Sequence, residues 1–104
     1  ALAGLHTERS GAYPGWTPNP SSEAVAMCRE LYEERYNEAP RVLACHAGLE
    51  CGILGTNYPD MDMVSFGPNI RGAHSPDECV QVSSVQKFWA YFLEVLNRTP
   101  EAQP

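Results

Sequence analysis

Met63-Val64-Ser65-Phe66-Gly67-Pro68-Asn69-Ile70-Arg71-Gly72-Ala73-His74-Ser75-Pro76-Asp77-Glu78 is the stretch on which the fold turns. Its first four residues are an apolar run too short for a helix and closed by Gly67-Pro68, which predicts a buried strand. The second half, Arg71 to Glu78, is polar and punctuated by Gly72 and Pro76, so it predicts a tight loop carrying one histidine, His74. A neutral imidazole held at the rim of a sheet is a good ligand for a borderline metal such as Zn²⁺. Asp77 and Glu78 have the chemistry to orient it by hydrogen bonding, with Pro76 stiffening the turn. A loop histidine that merely satisfies a turn is the plainer alternative.

Working outward, Val42-Leu43-Ala44-Cys45 is a second continuous apolar run, the pattern of a strand buried on both faces. The two runs, 42–45 and 63–66, are expected as neighbouring strands of one sheet. A helix is expected between Ser21-Ser22 and Asn37. Pro20 and the two serines are a start signal, and Glu23 complements the dipole in the first turn. Val25, Cys28, Leu31, Tyr32 and Arg35 form one stripe opposite Glu30, Glu33 and Glu34, and Asn37 and Pro40 end it. The last helix is expected over 83–98, opened by a Ser83/Gln86 capping box. Val85, Phe88, Trp89, Phe92, Leu93 and Leu96 form its apolar stripe, to be covered by the sheet. Helix, buried strand and Gly-containing loop in that order indicate an α/β layered arrangement. The Gly/Pro-rich piece from Ser10 to Pro20 reads as an extended connector anchored by Tyr13 and Trp16.

At 104 residues the chain is one small domain at most, or part of a larger one, with enough apolar content for a modest core but not for an enclosed active site. A net charge of −6 argues against nucleic-acid and anionic-membrane partners, which want clustered Lys and Arg. No apolar run is long enough to span a bilayer, and the start, Ala1-Leu2-Ala3-Gly4-Leu5-His6, lacks both Met and a basic leader, as expected of an excised or processed chain. Cys28, Cys45, Cys51 and Cys79 match neither a CxxC pair nor a zinc finger, so reduced thiols of a cytoplasmic protein are expected rather than disulfides.

Three motifs in order carry a resemblance. They are His46-Ala47-Gly48-Leu49-Glu50-Cys51-Gly52, then Asp62-Met63-Val64-Ser65-Phe66-Gly67-Pro68, then Ile70 to Glu78. Upstream, Ser10-Gly11-Ala12-Tyr13-Pro14-Gly15-Trp16 before Pro18-Asn19-Pro20 fits the same pattern. From about Ser10 to about Arg98 the chain resembles the C-terminal part of aminoacyl-histidine dipeptidases (Xaa-His dipeptidases), di-zinc metallopeptidases of family M20. The resemblance implies the C-terminal portion of a layered α/β/α zinc-peptidase catalytic domain with a mixed sheet. Residues 1–16 would end an inserted lid domain and its connector, and 17–104 would be the closing segment of the catalytic domain. It implies a cytoplasmic hydrolase that cleaves carnosine-like Xaa-His dipeptides with a metal-activated water and two divalent ions, zinc foremost, and that is a homodimer at full length.

His74 matches the family's last metal ligand in chain order. From the residues alone, Gly48 and Gly52 either shape a simple turn or bring N–H groups against a carboxylate or oxyanion. The resemblance favours substrate contact through Gly48, with His46 and Glu50 as further substrate-binding candidates. One histidine cannot hold two metals, and no His-x-Asp motif or suitably placed Glu-Glu pair occurs here. No catalytic residue is therefore expected in this segment, which alone should be inert and prone to self-association. The rival is a small non-catalytic α/β binding module.

Overall fold

The structure is a computed structural model that describes residues 3–45 and 49–101. Its elements in chain order are α1 (Glu23–Tyr36), α2 (Glu50–Asn57), β1 (Ile70–Arg71), β2 (Cys79–Val80) and α3 (Val82–Arg98). The class is mixed α/β, as expected, but among the described residues the sheet is a single antiparallel hairpin in which Ile70 pairs with Val80 and Arg71 with Cys79.

α1 forms where its signals stand. Ser22 is the N-cap, its Oγ accepting from the Val25 N–H at 3.1 Å, and Asn37 closes the helix in the left-handed region at φ 54°. A second cap comes from 40 residues away. The Asp62 carboxylate accepts the Ser22 hydroxyl through Oδ1 and the Ala24 N–H through Oδ2 at 2.8 Å. These hydrogen bonds, the Ser22 hydroxyl foremost, hold the Asp62 pKa below the usual carboxylate range. An anion at a helix N-terminus is stabilised by the exposed N–H groups there.

The core lies between α1 and α3. Cys28 and Leu31 from α1 meet Tyr91 and Val95 from α3, with Met27, Tyr32, Tyr36 and Val64 packed around them. The Tyr91 hydroxyl donates to the Cys28 carbonyl at 2.6 Å, so the phenol is buried with its polar end satisfied. Burial pushes both the Tyr91 hydroxyl and the Cys28 thiol upward in pKa. At the rim, Arg98 forks onto both oxygens of Glu34, at 3.3 and 2.9 Å, and Arg35 lies 3.7 Å from Glu94. Glu34 stays exposed, as its polar face predicts, while pairing with Arg98 across to α3. Lys87 donates to the Tyr32 hydroxyl at 3.1 Å and sits 4.3 Å from the centroid of the Tyr36 ring.

Neither apolar run becomes a strand. A strand exists through its ladder, and no described segment offers one to either run. Residues 63–66 instead lie across the helices. Val64 packs on the core, and the Phe66 ring meets Tyr91 and Phe88 edge-on with centroids 5.3 and 5.6 Å apart. Residues 42–45 are exposed, Leu43 at 76%, which reverses the expectation of burial on both faces. α3 begins at Val82 with Gln81 as N-cap and no side-chain cap, so the Ser83/Gln86 capping box does not form. Nor does a sheet among the described residues cover the stripe of α3. Phe66 takes up Phe88 and Phe92, whereas Val85, Trp89, Leu93 and Leu96 remain exposed. The helix α2 is absent from the sequence expectation.

Exposure is the dominant feature. The accessible surface is 9160 Å², against about 5,800 Å² for a compact monomer of this mass. The radius of gyration is 17.9 Å, where a compact 100-residue domain has about 13 Å. All four cysteines are free.

Candidate functional site

His74 stands in the loop joining β1 to β2. Gly72 enters it at φ 62°, a region open to glycine. Ser75 braces the turn from within. Its N–H and its hydroxyl both donate to the Gly72 carbonyl, at 3.1 and 2.6 Å, while its Oγ accepts the Asp77 N–H at 3.3 Å and its carbonyl accepts the Glu78 N–H at 3.1 Å. His74, at φ 64°, occupies the left-handed region, which histidine tolerates better than most residues. It is exposed, and its imidazole makes no hydrogen bond among the described residues.

The base of the hairpin is tied to α3. The Gln81 N–H donates to the Asn69 carbonyl at 3.0 Å, and the Asn69 side-chain amide donates to Gln81 Oε1 at 3.0 Å. Ser84 accepts the Asn69 N–H at 2.8 Å and donates to the Gln81 carbonyl at 2.7 Å. The histidine loop is therefore held to the start of a long helix rather than hanging free. Asn69 and Ser84 carry this bracing, and only the proximity of Ser84 to the helix start could have signalled it.

Of the substrate-binding candidates, His46 and Gly48 lie outside the described residues. Glu50 is the first residue of α2 and is exposed. A groove of about 1470 Å³ runs between the connector, α1, α2 and the 59–67 segment, with Trp16, Cys28, Cys51, Gly52, Asp62 and Phe66 among its walls. His74 and Glu50 do not line it. Gly52 is not the N–H donor its glycine suggested. It is buried within α2, its N–H bonded to the Leu49 carbonyl at 2.9 Å, and the connector backbone at Pro14 lies directly against it.

No group of three or more His, Cys, Asp or Glu side chains is placed to hold a metal ion among the described residues. A catalytic zinc takes three protein ligands, and His74 supplies one donor at most. The described residues therefore do not by themselves fit a metal, and no catalytic step follows from them. No helix among them is long and apolar enough to cross a membrane.

A histidine hairpin braced against α3, with α1 packed on that helix, belongs to a chain with counterparts in a known family. The chain matches Peptidase family M20/M25/M40 over residues 4–98, nearly its whole length, and belongs to that family. It is 48% identical over 99 residues to the cytosol non-specific dipeptidase of Escherichia coli (strain K12), a match covering 95% of this chain and 20% of that protein. The crystal structure of aminoacylhistidine dipeptidase from Vibrio alginolyticus superposes with a TM-score of 0.81 at 50% identity, covering 98% of this chain and 21% of that one. The chain thus spans about a fifth of the length of the relatives it matches.

Proposed function

We propose that this chain is the C-terminal part of the catalytic domain of a metal-dependent dipeptidase, with residues 1–16 closing an inserted lid domain and 17–104 completing the catalytic domain. The single observation that carries the proposal is 48–50% identity, across nearly all of this chain, to two proteins both named as dipeptidases. The proposed reaction is hydrolysis of Xaa-His dipeptides, carnosine among them, by a metal-activated water, the name of the Vibrio relative supporting the histidine preference. The metals, two divalent ions with zinc foremost, would be held largely by residues outside this segment, and His74 would contribute one ligand. His46, Gly48 and Glu50 are proposed to face the dipeptide. The full-length protein is proposed to be a cytoplasmic homodimer, and the name of the E. coli relative supports that location.

The exposed imidazole on a braced loop, with no hydrogen bond among the described residues, supports the ligand role. The test is His74→Asn beside His74→Ala in the full-length protein. Asn keeps a residue at ease in the left-handed region, whereas Ala adds roughly 1 kcal/mol of backbone strain. Both variants should lose metal and dipeptide hydrolysis together, with circular dichroism unchanged. Full metal stoichiometry and turnover in His74→Asn would refute the assignment.

A further inference from the structure

The first turn of α2 has little of its own to hold it. Its N-cap, Leu49, offers no side-chain cap, and the helix is eight residues long. Against this turn lies the connector. A Cβ built at Gly52 would run into the Pro14 carbonyl oxygen and stand 3.3 Å from the Pro14 carbonyl carbon and 3.7 Å from that of Gly15. The obstructing atoms are backbone, so no rotamer change relieves the clash. The φ of Gly52 is not left-handed, and what requires glycine here is space alone. Gly55, one turn on, differs. A Cβ there meets only the terminal methyl of Met63 at 3.0 Å, which can swing aside.

We propose that Gly52 is a positioning residue: its bare Cα lets the backbone of Pro14 and Gly15 lie flat on α2, and this contact fixes Glu50 relative to the connector. The proposal rests on the dipeptidase reading, in which the connector joins the lid to the catalytic domain and Glu50 faces substrate. The joint between the two domains is then a backbone-to-backbone seat two residues from a substrate-binding side chain. Any side chain at residue 52 lifts the connector and shifts the first turn of α2 with it.

The test compares Gly52→Ala with Gly55→Ala in the full-length enzyme. Inside a helix, exchange of Gly for Ala is ordinarily stabilising, so the two variants share propensity and differ in what the new methyl meets. Gly52→Ala should raise the KM for an Xaa-His dipeptide by roughly tenfold, in keeping with the sensitivity of bound geometry to small displacements. Metal content should be unchanged, and amide exchange should accelerate over α2, whose N–H groups are hydrogen-bonded. Gly55→Ala should match the wild type in all three. One glycine inserted after Gly15 gives the connector slack and should return the Gly52→Ala enzyme toward the wild-type KM. If Gly52→Ala fails to fold, the same insertion should recover folding. Wild-type KM and exchange in Gly52→Ala, equal effects in Gly55→Ala, or no recovery on insertion would each overturn the proposal. A wild-type enzyme without dipeptidase activity would end the functional reading instead, and the exchange comparison would still decide whether Gly52 seats the connector.

Discussion

Isolation of the 104-residue chain in urea is the perturbation with the clearest expected outcome. An unfolded chain of 11.5 kDa exposes about 16,700 Å² on the usual scaling with mass. The folded surface is 9160 Å², so folding removes about 7,500 Å², or roughly 45%. A compact 60-residue domain, already marginal, buries about 60%. The buried apolar core holds only Cys28, Leu31, Tyr91 and Val95 among the described residues. Since the urea m-value scales with the surface exposed on unfolding, it should be about two-thirds of that of a compact domain of this length. The exposed apolar face of Trp89, Leu93 and Leu96 should drive association as concentration rises. Circular dichroism against urea at several protein concentrations, with light scattering on the same samples, reads both effects. A sharp transition with a full m-value and a strict monomer at high concentration would refute the reasoning and favour an independent module.

Two further outcomes concern the helix pair and are best read in the full-length protein. Asp62→Asn should weaken the start of α1 by about 0.5 kcal/mol, a small figure because the carboxylate is exposed, and amide exchange at Ala24 and Val25 measures it. The folded pKa of Asp62 is lowered, so its stabilising contribution is present above the unfolded value near 3.8 and is lost as pH falls through the folded value below it. Acid-induced loosening of this turn below about pH 4 should therefore be absent from Asp62→Asn. Tyr91→Phe removes the bond to the Cys28 carbonyl, which keeps its place in the helix ladder, and should cost about 1 kcal/mol in thermal or urea unfolding without changing the fold.

How much was legible in the sequence depended on whether the partner of each signal was local. The limits of α1 were readable because Ser22, Glu23 and Asn37 act within a turn of the residues they terminate. The length of α3 was readable from its 3.6-residue period and its start to within one residue, but not its cap, because Gln81 rather than Ser83 stands at the N-cap position. The apolar runs at 42–45 and 63–66 signalled strands, and apolarity cannot say whether a ladder partner lies within reach. α2 was missed because Gly52, Gly55, Thr56 and Asn57 are weak helix formers in an eight-residue element. The histidine loop was recognised, but its two-residue strands carry no period to detect. Asp62 and Gly52 were opaque in role, one because it caps a helix 38 to 40 residues earlier, the other because its constraint is a backbone passing overhead.

Beyond its local caps, the ties that join α1 to the other described segments are distant in sequence. Asp62 reaches back 40 residues to Ser22, Lys87 55 to Tyr32, Tyr91 63 to Cys28, and Arg98 64 to Glu34. Loop closure over such spans must precede any reward from the contacts, which slows the search for them. During synthesis, α1 is made before α3 and lacks its core partners Tyr91 and Val95 until that helix follows. Leu31 and Cys28 therefore stay uncovered by Tyr91 and Val95 over that interval. A growing chain stalled before Tyr91 presents them to whatever chaperone is nearby, and the helix pair forms only once α3 has been made.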